Sequence, residues 1–126
     1  MVKCIQYPQE IEVFYLIPAL RRELAIALKG KGLEQKEIAK LLNITDAAVS
    51  QYFSSKRGVM TLQFNDALKK KIHATALKLL QNSTEVVQDM QELLKISMNE
   101  GLTCQLHKQY SVKVEENCDV CFEDKP

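Results

Sequence analysis

The sequence lacks any apolar run long enough to cross a membrane. A membrane helix needs about 20 mostly apolar residues, and no run here approaches about 18. The first residues also lack the basic leader, apolar core and small-residue cleavage site of a secretory signal. We therefore expect a cytoplasmic protein without a membrane partner.

The common catalytic signatures are missing as well. The sequence contains no phosphate-binding glycine loop, no nucleophile elbow and no paired catalytic carboxylates. The Cys-x-x-Cys pair at Cys118 and Cys121 would suit a dithiol catalyst, but the βαβ setting of such catalysts is absent. We expect a protein that is not an enzyme.

The composition is that of a folded domain with an uneven charge distribution. The 126 residues are 46% hydrophobic and 26% charged, which suits one compact domain or a domain with a small appendage. The net charge of +1 divides into −1 over residues 1–18, +7 over residues 19–81 and −5 over residues 82–126. A basic middle section suits a polyanionic partner, although a solvated lysine face would give the same charge.

Residues 35–54, QKEIAKLLNITDAAVSQYFS, predict two short helices joined by a tight turn. The first helix is expected over residues 35–42, Asn43 tolerates a left-handed turn, and Thr45 can cap the second helix. The side chains expected to be buried between the helices are Ile38, Leu42, Ile44, Val49 and Tyr52. The opposite face of the second helix carries Thr45, Ala47, Ser50, Gln51 and Ser54. That face is short, polar and nearly uncharged, which suits contact with base edges.

These twenty residues resemble the helix-turn-helix of Cro/repressor-type (XRE-like) transcriptional regulators. Residues 47–58, AAVSQYFSSKRG, are similar to a group of small archaeal regulators. The resemblance implies a sequence-specific transcriptional regulator that binds double-stranded DNA as a homodimer, because such proteins read two half-sites. A plain αα-hairpin within a helical core is the alternative. The residues expected to contact DNA are Gln35, Lys36, Thr45, Ala47, Ser50, Gln51, Ser54, Lys56 and Arg57.

Lys56 and Arg57 follow the second helix in the sequence SSKRG. Two hydroxyls and two cations there resemble a phosphate clamp, which fixes register without reading sequence. Cations at a helix C-terminus also interact favourably with the macrodipole, and both roles can hold together.

The remaining pattern predicts an all-α helical bundle. The apolar rhythm of residues 11–28 is interrupted by Pro18, which either kinks one helix or lies near the start of a second. Further helices are expected over residues 66–80 and, after a capping box at residues 82–85, to about Asn99, before Gly101. The last of these carries an apolar stripe that completes the core or pairs with its copy in a dimer: Val86, Val87, Met90, Leu93, Leu94 and Met98.

We accordingly divide the chain into a DNA-binding domain at residues 1–81, a dimerisation or core helix at 82–101 and an irregular cysteine-rich tail at 102–126. The tail contains Cys104, His107, Cys118 and Cys121, two pairs with two-residue gaps that fit a tetrahedral zinc site. An iron-sulfur cluster is the rival, with Cys4 in place of His107. Free or redox-active cysteines are the third alternative. Our hypothesis is that the cysteine cluster senses metal or redox state.

A different functional class also stays open. The helical domain could serve as an adaptor that binds protein, with the tail as a structural zinc staple. DNA binding that weakens steeply with salt would argue against the adaptor. Such a dependence arises when lysines and arginines neutralise DNA phosphates and release their counterions.

Overall fold

A computed structural model describes residues 7–54, 64–82 and 85–110, and every regular element within those ranges is helical. The elements are α1 (Pro8–Ile11), a π turn (Glu12–Leu16), α2 (Ile17–Gly30), α3 (Gln35–Leu42), α4 (Asp46–Ser54), α5 (Asp66–Leu80), α6 (Val86–Asn99) and α7 (Leu102–Tyr110). The all-α prediction is confirmed for this part of the chain.

The first three elements form one continuous helical path with a wide turn in the middle. The backbone N–H of Ile17 donates to the carbonyl oxygen of Glu12, five residues earlier, which defines the π turn. Pro18 follows directly and has no N–H to donate to the turn before it. Of the two alternatives that the sequence allowed, the second is confirmed: Pro18 lies near the start of α2, and the π turn directly precedes that helix.

Helix α2 is the centre of the core. It packs against α3, α4, α5 and α6. Leu20, Leu24 and Leu28 are fully buried along it, and the small Ala25 between them is buried too. Small side chains let neighbouring helices approach α2 closely, so both short helices after it rest on one rigid support.

The α3–α4 pair has the bounds that the sequence predicted. Asn43 joins the helices in the left-handed conformation, with φ 57° and ψ 45°. The Thr45 Oγ1 accepts a hydrogen bond from the Ala48 N–H at 3.1 Å, as expected of an N-cap. Of the five side chains expected in the core, Ile44 is half-buried. The other four are buried: Ile38, Leu42, Val49 and Tyr52.

Helices α5 and α6 form an antiparallel pair against α2. An ion pair of 3.0 Å between Lys71 Nζ and Glu92 Oε1 links them at the surface. The apolar stripe of α6 mostly completes the core of a single chain, since Met90, Leu93 and Leu94 are buried. Val87 departs from the stripe, because 64% of it is exposed.

Helix α7 corrects the predicted irregular tail over residues 102–110. Gly101 reverses the chain with a φ of 79°, and α7 returns to pack against α6, α1 and the π turn. Leu102 and Leu106, one helical turn apart, are both buried in that contact. Residues 111–126 lie outside the described ranges, so the rest of the predicted tail stays a prediction.

We found no helix in the described ranges that is both long and apolar enough to cross a membrane.

Candidate nucleic-acid interface

The outer side of α4 carries the side chains that the sequence singled out for base contact. Thr45, Ala47, Gln51 and Ser54 are exposed, and Ser50 is partly exposed. They lie opposite Val49 and Tyr52 on the helix. The arrangement leaves one side of α4 accessible along its length.

The inner side of α4 is fixed to the rest of the fold. Val49 is fully buried and Tyr52 is 1% exposed, where α4 packs on α2 and α3. Phe53 is half-buried beside them, and the Lys29 Nζ lies 4.9 Å from the centre of its ring. A cation at that distance is attracted to the ring face, so Lys29 joins the end of α2 to the end of α4.

Gln35 braces the beginning of α4. Its Nε2 donates a hydrogen bond to the backbone carbonyl oxygen of Asp46 at 3.1 Å. The sequence assigned Gln35 to DNA contact; the structure shows that one amide hydrogen is already used to join α3 to α4, while the second amide hydrogen and the carbonyl oxygen lie on an exposed residue. Gln35 therefore sets the orientation of α4 whatever else it contacts.

The hydroxyl of Ser54 is also partly committed. The Ser54 Oγ donates to the Ser50 carbonyl oxygen at 2.7 Å, a bond within the helix. The oxygen of that hydroxyl can still accept. Ser54 is thus better suited to accept a hydrogen bond from a partner than to donate one.

The α3–α4 pair carries no net charge of its own. Residues 35–54 contain two lysines, Lys36 and Lys40, and two acids, Glu37 and Asp46. Asp46 lies in the first turn of α4, where a carboxylate favours the helix dipole and could accept from a cytosine amino group but would repel phosphate. A polyanionic partner would therefore need most of its cationic contacts from neighbouring segments, such as the end of α2 at Lys29.

Lys56 and Arg57, the predicted phosphate clamp, lie outside the described residues. Lys36 is described and is exposed at the start of α3, where a phosphate contact is sterically open. No local pattern predicts the contact of Lys29 with Phe53 or that of Gln35 with Asp46. Both contacts join residues that are distant along the chain, and only the packing of α2, α3 and α4 brings them together.

The predicted metal ligands are only partly within the described ranges. Cys104 is 7% exposed on α7, the helix that also contains His107. Cys4, Cys118 and Cys121 lie outside those ranges. Among the side chains that the structure describes, which end at Leu106, no three His, Cys, Asp or Glu groups are placed to hold a metal ion.

The burial of Cys104 has a chemical consequence. A buried cysteine behaves as a small apolar side chain, whereas a metal ligand must present its thiolate to the ion. Ligation by Cys104 would therefore require the metal to lie at the edge of the core, beside α7.

Comparison of the chain with protein-family models, curated proteins and solved structures gave no match.

Proposed function

We propose that the protein is a sequence-specific DNA-binding transcriptional regulator whose helix α4 enters the major groove of duplex DNA. One observation carries the proposal: α4 exposes a row of short polar or small side chains while its other side is anchored by Val49 and Tyr52. Short side chains allow a helix to approach base edges closely, and firm anchoring keeps them in register.

The exposed row has the chemistry to distinguish bases. The Gln51 amide can pair in a bidentate way with adenine N6 and N7, and the Ser50 hydroxyl can donate or accept. The Ala47 methyl can pack against the thymine methyl group. Thr45 stands at the N-terminal end of the row, where its hydroxyl also caps α4.

Phosphate contacts would hold this row in place. Lys36, Lys56 and Arg57 are the proposed contacts, and Gln35 supports them by fixing α4 to α3. We propose a homodimer, because two copies related by two-fold symmetry can read half-sites about 34–36 Å apart. The dimer raises the affinity for DNA because it joins two weakly binding surfaces in one molecule.

A binding-site selection from randomised duplex DNA tests the proposal. Gln51→Ala should weaken binding to the selected site by about 1–3 kcal/mol and relax discrimination at one base pair. Gln88→Ala is the matched control, since Gln88 is an exposed glutamine on α6. Equal loss on selected and unrelated DNA would show that Gln51 does not read sequence, and absence of any selected site would refute the function.

The same DNA measures the phosphate clamp. Lys56→Ala and Arg57→Ala should each weaken binding on every sequence and make the slope of log affinity against log salt shallower by about one unit. An unchanged slope would place both side chains away from the DNA.

A protein-binding adaptor is the second candidate, and one observation favours it. Tyr7, Val13 and Phe14 expose 74%, 56% and 60% of their surface around α1 and the π turn. Neighbouring exposed apolar side chains are typical of contact with another protein. Salt-dependent DNA retention that survives substitution of these three residues would exclude the adaptor as the main function.

A further inference from the structure

A cleft of about 690 Å³ lies between α3 and the region where α5 ends and α6 begins. Its apolar lining is formed by Leu33, Leu41, Leu79, Leu80, Val86 and Val87. Small-molecule sites commonly measure about 300–1,000 Å³. The lining of this cleft is about half apolar and half polar, which suits a ligand with an apolar part and a polar part. Val87 is largely exposed here, so an apolar ligand in the cleft would cover surface that the fold leaves in water.

Three helices end at this cleft. Gly32, Asn43 and Asn82 line it, and each has a positive φ, of 92°, 57° and 56°. These residues follow the C-termini of α2, α3 and α5. A helix C-terminus carries a partial negative charge of about half an elementary charge, so the three ends together favour a cation.

The charged side chains add to this preference. Glu37 and Glu85 both line the cleft, and Lys40 is the one basic side chain among its described lining residues. Helix α6 begins at the cleft, and its positive N-terminal end is offset by Glu85 at the N-cap position. Two carboxylates and three helix C-termini outweigh one lysine and one helix N-terminus.

We propose that the cleft binds an organic cation with an apolar body, such as a primary ammonium on an alkyl or aryl chain. The ammonium would lie near the helix ends and the two carboxylates, and the apolar body would cover Leu80, Val86 and Val87. Since α3 and Asn43 belong both to the cleft and to the α3–α4 pair, an occupant also changes DNA affinity; this second part rests on the proposed function.

Methyl NMR titration with three matched probes tests the site directly. The probes are 4-phenylbutylammonium, 4-phenylbutanol and 4-phenylbutanoate, which share one body and differ in charge. The cation should bind tightest and shift the methyl signals of Leu33, Leu41, Val86 and Val87. The methyl groups of Ile26 and Leu77, which are exposed elsewhere, should not move.

Charge variants then locate the cation. Glu37→Gln and Glu85→Gln should each weaken its binding about two- to fivefold, and Lys40→Gln should strengthen it by a similar factor. The Glu34 N–H donates to the Glu37 Oε1, and a glutamine side-chain oxygen can accept the same hydrogen bond, so α3 stays capped. Asp66→Asn alters net charge equally at the start of α5, away from the cleft, and should leave binding unchanged.

Several results would overturn the site: no saturable shift at the cleft, the alcohol or the carboxylate binding as tightly as the ammonium, or equal effects of Asp66→Asn and Glu85→Gln. The link to DNA is measured separately, as the change in operator affinity on adding 4-phenylbutylammonium to the wild type and to Glu85→Gln. Saturation of the cleft with unchanged operator affinity would refute the link and keep the site. A protein that binds the cation but selects no DNA would refute the proposed function instead.

Discussion

Two asparagines show how single residues shape this fold. Asn43 and Asn82 are the non-glycine residues with positive φ in the described ranges, and each ends a helix. The left-handed conformation costs most residues about 1–2 kcal/mol, whereas glycine and, to a lesser degree, asparagine adopt it readily. The two turns have the same backbone conformation but join different helices. Asn43 sets the geometry between α3 and α4, whereas Asn82 lies between α5 and α6.

Alanine substitution at the two asparagines should separate stability from DNA binding. Asn43→Ala and Asn82→Ala should each lower the free energy of unfolding by about 1–2 kcal/mol, because alanine disfavours positive φ. Asn43→Ala should in addition weaken operator binding, while Asn43→Gly restores both properties. Urea unfolding and operator titration measure the two effects. Equal loss of DNA affinity in Asn82→Ala would mean that stability alone controls binding.

At the scale of elements, the π turn places a carboxyl in a partly buried position. Burial raises the pKa of Glu12 above its ordinary value. The Glu12 carboxyl therefore binds its proton more tightly in the folded protein than in the unfolded chain. Its contribution to the free energy of unfolding is fully present below the ordinary glutamate pKa and is lost as pH rises through the raised pKa.

Removing that charge should stabilise the protein at neutral pH. Glu12→Gln is expected to raise the free energy of unfolding at pH 7 by under about 1 kcal/mol, since water screens a partly exposed carboxylate. The difference from wild type should shrink as pH falls past the ordinary glutamate pKa and vanish at about pH 3, where the carboxyl is protonated in both states. Urea unfolding at several pH values measures it. A gain that persists at low pH would show that the charge of Glu12 is not the cause.

Glu92 supplies a control with the opposite sign. A hydrogen bond from Lys71 lowers the pKa of the Glu92 carboxyl, so its contribution is present above the ordinary pKa and is lost as pH falls. Glu92→Gln should therefore destabilise the protein at neutral pH, by less at acid pH. The opposite pH trends of the two variants would exclude a general effect of removing a carboxylate.

The elements also show what the sequence could predict. Helices α3 and α4 have the expected bounds, because their signals are local: apolar periodicity, the turn at Asn43 and the Thr45 cap. The exposed face of α4 follows from the same periodicity. The π turn directly before Pro18 was not predicted.

Helix α7 was missed for a related reason. Leu102 and Leu106 provide only one turn of apolar periodicity, and the helix gains its packing from α1 and α6. The brace from Gln35 to Asp46 is likewise a product of packing, since eleven positions separate the two residues. Local patterns located the candidate interface, but not the contacts that orient it.

At the scale of the whole molecule, the acidic C-terminal section and its cysteines remain the proposed regulatory part. Cys118→Ser with Cys121→Ser should abolish metal binding and, if the metal braces the dimer, alter operator affinity. Metal and sulfide analysis with the visible absorption spectrum of anaerobically purified protein identifies the group. Dependence on His107 but not Cys4 indicates zinc, whereas dependence on Cys4 but not His107 indicates an iron-sulfur cluster. A variant that loses metal, stays dimeric and binds its operator unchanged would reduce the site to a structural staple.

The packing of α7 against α1 also has a consequence for synthesis of the chain. Ninety-one positions separate Ile11 from Leu102, so α1 leaves the ribosome long before its neighbour exists. At about 5–20 residues per second, that delay is roughly 5–18 s. During this interval Ile11 and Leu16, which are buried in the finished fold, lack the cover that α7 supplies, so the growing chain must keep this apolar surface in water until α7 arrives.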